Sequence, residues 1–228
     1  MDWLRIVAIP ELHHEIALEG ETLRHAMALR LRRGESVGLL DGRGTTARCV
    51  VTASEKGSCD VRVMSIRRES LPSDITVAIG VPDHRDRLEF ALEKCTELGV
   101  RRIVLLECQR SQRQNVRMDR LQQKIEAAML QCGRAWMPEI VGPMSVQTCL
   151  DTFADAKVII GDQHGEHPSA LTLPAMLMVG PEGGFTDDER LRIDARTPRT
   201  WRIGDHRLRT ETAAVVLTAA AMILVSNK

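Results

Sequence analysis

No tyrosine occurs among the 228 residues, and the other aromatics number six, three Trp and three Phe. Surfaces that bind single strands by stacking bases draw on such side chains, so that mode of recognition is poorly supplied here. Net charge is missing as well, because 31 Lys and Arg balance 31 Asp and Glu. Any grip on a polyanion must therefore come from local patches. The six cysteines, Cys49, Cys59, Cys95, Cys108, Cys132 and Cys149, form no C-x-x-C pair, which removes the usual zinc and dithiol motifs; reduced, mostly buried thiols are expected. The longest apolar run, Ala213 to Val225 broken only by Thr218, is shorter than the roughly 18 residues of a membrane span and reads as a buried helix. Near the start, Asp2, Glu11 and Glu15 interrupt any apolar stretch. That argues against a secretion signal and for a cytoplasmic protein. There is no phosphate-loop motif, no G-x-S-x-G elbow and no internal repeat.

What is present divides near Leu71-Pro72-Ser73-Asp74. Before it, turn signals lie close together. Glu21 to Leu29 reads as a helix, and Ser36 to Leu40, Thr45 to Ala53 and Asp60 to Ile66 as strands, the last with Val61 and Val63 alternating against Arg62 and Met64. A small β-rich barrel is expected. After it, strand and helix alternate, the pattern of a parallel sheet covered by helices. The strands are Ile75 to Val81, Arg102 to Leu106, Val158 to Ile160, Met176 to Val179 and Trp201 to Ile203. The helices are Arg87 to Leu98, ended by Gly99 through a left-handed cap, then Met118 to Gly133 with Leu121, Ile125, Ala128, Met129 and Cys132 on one face, and Glu211 to Val225 capped by Thr210. The fold class is α/β, with domains at 1–71 and 72–228.

Two glycine loops carry the chemistry. Gly180-Pro-Glu-Gly-Gly184 follows a strand, so its backbone can approach a ligand without Cβ obstruction, and Thr186 with Glu189 has the spacing of a capping box that opens the next helix. Gly204 follows another strand and precedes Asp205-His-Arg-Leu-Arg209 and the last helix. Either loop alone can be an ordinary turn. Together, with Glu182, Arg209 and Glu211 close by, they form what a cofactor pocket at the carboxyl ends of strands requires. Two weaker patterns are set aside. Gly42-Arg-Gly44 is followed by a strand where a dinucleotide fingerprint needs a helix. His164, His167 and His206 lack matching acidic or Cys ligands, and no metal is expected.

The stretches Met178-Val-Gly-Pro-Glu-Gly-Gly-Phe185 and Ile203-Gly-Asp-His-Arg-Leu-Arg-Thr-Glu-Thr-Ala213 resemble the two cofactor motifs of the SPOUT superfamily of RNA methyltransferases. Within it, the chain is most similar to the enzymes that methylate N3 of a uridine in 16S ribosomal RNA. Glu93-Lys-Cys-Thr-Glu-Leu-Gly-Val100, Gln131-Cys-Gly-Arg134 with Pro138-Glu-Ile140, and His25 with Leu29-Arg-Leu-Arg-Arg-Gly34 extend the likeness over nearly the whole chain. The resemblance implies an N-terminal PUA-like β-barrel that binds RNA and a C-terminal SPOUT domain with a trefoil knot. It also implies S-adenosylmethionine as cofactor, a homodimer, and a 16S ribosomal RNA or small-subunit substrate whose target is the uridine numbered 1498. Carried over by position, Met178, Val179, Gly180, Glu182, Gly183, Gly184, Ile203, Gly204, Leu208 and Thr210 hold the cofactor. The chain departs from the family at Asp83, where a lysine is usual after Pro82, and at Asp205-His-Arg207.

Arg209 is the candidate to stabilise the deprotonated base. Glu211, or alternatively Glu182, is the candidate to accept its proton or to hold Arg209; the plainer reading of both Arg209 and Glu211 is that they cap the last helix. Candidate RNA contacts are Arg30, Arg32 and Arg33 in the first domain, Arg110 and Arg113 within a basic stretch that also holds Arg101, Arg102, Arg117, Arg120 and Lys124, and Arg134 of the Gln131-Cys-Gly-Arg134 segment. Such a run can equally be a solvated face. The rival functions are a non-catalytic RNA-binding or assembly protein on the same fold, and a related methyltransferase acting on another RNA.

Overall fold

The computed structural model describes residues 1–111 and 116–226. The chain folds into two compact units, one made of residues 1–71 with 126–137, the other of 72–125 with 138–228.

The first unit is a five-stranded sheet with one helix. Its elements are β1 (Trp3–Arg5), β2 (Glu15–Ala17), α1 (Gly20–Ala28), β3 (Ser36–Leu40), β4 (Thr45–Glu55) and β5 (Ser58–Arg68), in the sheet order β1-β3-β4-β5-β2. The alternation read from sequence decides which face is buried: Val61 and Val63 are fully buried, while Met64 and Ile66 point outward. All five strands and α1 supply one core, in which Leu4, Leu18, Ala26, Leu39, Cys49 and Val61 take part. At the β3–β4 turn, the Asp41 carboxylate accepts from the amides of Arg43 (2.7 Å) and Thr45 (3.0 Å). Gly44 has φ +99, and a Cβ there would lie 2.4 Å from the Trp136 ring, so this position tolerates glycine alone. Residues 126–137 complete the unit through Ala135 O, which accepts from Gly44 N at 2.9 Å, and Trp136 Nε1, which donates to Glu69 O at 3.1 Å.

The second unit is a six-stranded parallel sheet in the order β11-β9-β10-β6-β7-β8, built from β6 (Ile75–Gly80), β7 (Arg102–Leu106), β8 (Glu139–Met144), β9 (Lys157–Glu166), β10 (Ala175–Val179) and β11 (Arg199–Trp201). Every residue of β6 and β10 is buried, so helices cover both faces. The helices are α2 (Arg85–Leu98), the start of α3 (Met118–Cys132), whose residues from 126 on belong to the first unit, α4 (Val146–Thr152), α5 (Asp187–Asp194) and α6 (Thr210–Ser226). Helices α4 and α5 enclose one core with Val104, Leu106, Ile160, Met176 and Met178, while α6 packs on α2, β6 and β10. Among the described residues no helix is long and apolar enough to cross a membrane.

The structure meets some of these expectations and shifts others. Gly99 does end α2 with φ +98, and Thr186 with Glu189 does form a reciprocal capping box at the start of α5. Cys132, placed by periodicity on the buried face of α3, is exposed at the helix end, whereas the other five cysteines are buried. The last strand stops at Trp201, which leaves Ile203 free to face a cavity instead of the sheet. Thr210 is the first residue of α6 rather than its cap, and its hydroxyl serves another loop.

Candidate active site

Because the strands of the second unit run parallel, the loops leaving β9, β10 and β11 gather at one edge of the sheet. They enclose a cavity of about 730 Å³, a size suited to a small-molecule ligand. Met178, Val179, Gly180, Glu182, Gly184, Ile203, Gly204, Leu208, Arg209 and Thr210 all line it. The two glycine motifs, separate in sequence, are therefore two walls of one space. Gly183 and Glu211 are not part of the lining.

The loop after β10 is clamped from several sides. The Gly184 amide closes a turn on Pro181 O at 2.8 Å, and Gly184 has φ +70 with open space where a Cβ would be. The Thr210 hydroxyl donates to Gly180 O at 3.0 Å, which joins the first turn of α6 to this loop. Arg110 donates through Nη1 to the carbonyls of Gly183 and Phe185, both at 3.1 Å. A Cβ on Gly183 would lie 2.9 Å from the Arg110 Cβ, so glycine here makes room for the arginine. Underneath, Gly80 at the end of β6 would place a Cβ 2.5 Å from Pro181 N. Glu189, beyond its cap role, accepts from Gln109 N at 2.9 Å.

The charged groups divide into those already engaged and those still open. The Glu182 carboxylate accepts from the Asp83 amide at 3.2 Å and from Arg87 Nη1 at 3.0 Å. Arg87 also lines the cavity, and its Nε lies 3.9 Å from Glu211 Oε1. Glu211 thus faces Arg87 rather than Arg209. Its other oxygen, Oε2, is buried and has no hydrogen-bond partner among the described residues. Arg207 donates to Glu182 O at 2.6 Å, and Asp205 pairs with Arg202, whose hydrogen bond holds the Asp205 carboxyl below its usual range. Arg209 is exposed at the cavity, and among the described residues no side-chain hydrogen bond or ion pair engages its guanidinium. Sequence reasoning missed Arg87 and Arg207. The departures at Asp83 and Arg207 turn out to be structural contacts of the loop, the first through its backbone amide.

The basic residues behave less uniformly than their clustering suggests. Arg30, Arg32 and Arg33 are exposed on the first unit. Arg134 is half-buried, and burial pushes its guanidinium down to about 10. Arg101 and Arg102 pair with Asp74, Arg102 with Glu139, Arg117 with Asp119, and Arg120 and Lys124 with the buried Glu89. Most of that stretch is spent on internal ion pairs. Arg110 is exposed and clamps the loop, and Arg113 lies outside the described residues.

With this arrangement in view, comparison with known proteins is specific. Residues 69–222 match the RNA methyltransferase domain, and residues 18–64 match the RNA methyltransferase PUA domain. Ribosomal RNA small subunit methyltransferase E of Mycobacterium tuberculosis is 31% identical over 96% of this chain and 90% of its own length. The protein of the same name from Rickettsia conorii is 26% identical over 87% of this chain and 85% of its own length. The crystal structure of ribosomal RNA small subunit methyltransferase E from Neisseria gonorrhoeae, bound to S-adenosyl methionine, superimposes with a TM-score of 0.87 at 26% identity and covers 98% of both chains. A PUA domain at the start, a parallel α/β sheet with paired glycine loops and matches of this extent establish that the chain belongs to the RNA methyltransferase family, in the branch of ribosomal RNA small subunit methyltransferase E.

Proposed function

We propose that the protein methylates N3 of a uridine in 16S ribosomal RNA, at the nucleotide numbered 1498, with S-adenosylmethionine as methyl donor. The observation that carries this reading is the single cavity walled by both glycine loops. Its residues suit that cofactor. Ile160, Met178, Ile203, Leu208 and Leu217 give the apolar surface an adenine ring needs, and Gly184 and Gly204 leave backbone open on either side, with nothing nearer than 3.9 Å to a Cβ at Gly204. When bound, the cofactor supplies an electrophilic methyl group.

The protein's own task is to make the uridine a nucleophile. Its N3 is a weakly acidic imide that must lose a proton, and each unit of acidity gained requires about 1.4 kcal/mol of preferential stabilisation of the anion. Arg209, exposed to the cavity and unengaged, is assigned to donate to a developing oxyanion of the base. Glu211 is assigned the proton. Glu182 is the weaker candidate, because its carboxylate is already occupied by Asp83 N and Arg87. Glu211 keeps a buried oxygen without a donor, a situation that costs about 1–3 kcal/mol until a donor arrives. It sits behind the lining, and catalytic hydrogen bonds of this kind commonly tighten only when substrate binds.

The first unit, with exposed Arg30, Arg32 and Arg33, is assigned to RNA backbone contacts, and so is Arg110, which is exposed beside the cofactor loop whose Gly183 and Phe185 carbonyls it binds. A cytoplasmic homodimer and a trefoil knot complete the proposal. The dimer is supported by α6, which is apolar on nearly every side yet leaves Val216, Ala219 and Ala220 half-buried and Ile223 exposed; a helix of this composition calls for cover on its second face.

The test is methyl transfer to small subunits from a strain lacking the modification, followed by mapping of the product. N3-methyluridine at the named position is expected. A different base or atom, or no transfer despite cofactor binding, refutes the assignment. Arg209→Ala and Glu211→Gln should each lower turnover about 100-fold at saturating cofactor, and parental turnover in both removes them from the chemistry.

A further inference from the structure

One arginine stands between the two carboxylates nearest the chemistry. Arg87 belongs to the first turn of α2, while Glu182 lies on the loop after β10 and Glu211 on the first turn of α6. Its Nη1 bonds Glu182 at 3.0 Å and its Nε faces Glu211 at 3.9 Å. All three side chains are largely buried, with exposures of 27%, 26% and 11%, so these charges are weakly screened and their mutual geometry matters. The amide of Asp83, just before α2, binds the same Glu182 carboxylate. The start of α2 thus grips the cofactor loop at two points, and Arg87 extends that grip to Glu211 on α6, beside the Thr210 hydroxyl that bonds Gly180 O. Without it, the Glu182 carboxylate would keep the Asp83 amide, and Glu211, whose Oε2 has no hydrogen-bond partner among the described residues, would lose its ion pair with Arg87.

We propose that Arg87 is the positioning residue of the methyl-transfer site: its guanidinium fixes the cofactor loop through Glu182 and, through Glu211, sets the carboxylate that receives the proton. The second half rests on the role given to Glu211 above; the first half does not. An arginine suits the task because its planar fork presents donors in two fixed directions, which an ammonium group does not.

The experiment measures S-adenosylmethionine affinity by calorimetry without RNA, and kcat and KM for small subunits at saturating cofactor, in Arg87→Ala, Arg87→Lys, Glu211→Gln and the Arg87→Ala/Glu211→Gln double variant. In Arg87→Ala, cofactor affinity is expected to fall about tenfold and kcat by 10-fold or more, with KM for the subunit within about twofold. Arg87→Lys should recover part of kcat. The double variant should be no slower than its slower parent, as for residues that act as one unit. A folded Arg87→Ala or Arg87→Lys protein with parental affinity and kcat overturns the proposal, and so do losses that simply add in the double variant. If Glu211→Gln alone turns over normally, the assignment of Glu211 fails while the loss of cofactor affinity in Arg87→Ala still reports the contact through Glu182. If Arg87→Ala does not fold, Arg87→Lys decides by the same two readouts.

Discussion

Gly80 gives the sharpest test of how the cofactor loop is held, because it touches the loop without lining the cavity. A methyl group there would sit 2.5 Å from Pro181 N, 2.6 Å from Pro181 Cδ and 2.9 Å from Gly180 C. None of these is the end of a flexible side chain, so the clash cannot be relieved by a rotamer. Restoring ordinary contact at 3.4 Å requires a backbone displacement of about 0.9 Å, the difference of 3.4 and 2.5. β6 cannot provide it easily, being fully buried and paired with β7 and β10. The loop must move instead, and with it Gly180 O, which accepts from Thr210, and Glu182, which meets Arg87. Overpacking of this kind costs about 1–3 kcal/mol, or about 2–12 °C in midpoint for a chain of this size. A displacement near 1 Å in a binding constellation costs on the order of 100-fold in rate. Gly80→Ala should therefore melt lower and bind S-adenosylmethionine at least tenfold more weakly by calorimetry. Gly204→Ala serves as the contrast: a Cβ there meets nothing nearer than 3.9 Å, so its midpoint should stay within about 1 °C while its affinity falls if the open face serves the cofactor. Parental affinity and midpoint in Gly80→Ala would refute the reasoning.

Three further outcomes follow from particular contacts. Burial pushes the thiols of Cys49 up to about 11 and of Cys95, Cys108 and Cys149 up to about 12, and raises Cys59 as well, so an aromatic disulfide reagent at pH 7.5 should titrate one group, Cys132, in the native protein and all six in denaturant. Hydrogen bonding to Arg120, then to Lys124, holds Glu89 below the usual carboxylate range; its stabilising effect is complete above the unfolded-state pKa and is lost as pH falls through the lower folded value. The urea midpoint of Glu89→Gln should accordingly lie below the parent's at pH 7, with the gap closing as the pH is lowered into the range where the Glu89 carboxylate takes up its proton, and a gap that stays constant throughout acid titration contradicts the ion-pair account. Thr210→Val removes the only donor seen on Gly180 O among the described residues and should cost about 1–2 kcal/mol, with weaker cofactor binding; an unchanged midpoint in thermal unfolding would show that water replaces the hydroxyl without loss.

Much of the fold is legible through local rules of sequence. The Thr186–Glu189 box, the left-handed Gly99 and the alternation around Val61 all depend on residues within four positions of each other, where chain geometry fixes the neighbours. β8 and α4 were less visible: β8 is an edge strand that contains Gly142 and Pro143, residues that weaken a strand pattern. The cavity's backbone walls were legible because glycine spacing reports close approach directly. Its charge arrangement was not. Arg87 meets Glu182 across 95 positions, and nothing in its own surroundings separates it from Arg85, which pairs with Glu89 on the same helix. The ion pairs of the basic stretch after residue 100 were hidden for the same reason, since its acidic partners Asp74, Glu89 and Glu139 come from other segments.

The return of residues 126–137 to the first unit bears on how this protein can be cut and recombined. Helix α3 starts among residues of one unit and finishes in the other, so the RNA methyltransferase PUA unit is discontinuous along the gene. A fragment ending at residue 71 would leave Gly44 N and Glu69 O without Ala135 and Trp136, and would strip Gly133 from beside Trp3. Such a fragment should be poorly soluble, and exchanging the leading 71 residues between relatives should fail unless the 126–137 insert travels with them. The two units are therefore bound to vary together, the trailing part of the gene carrying a piece on which the leading part depends.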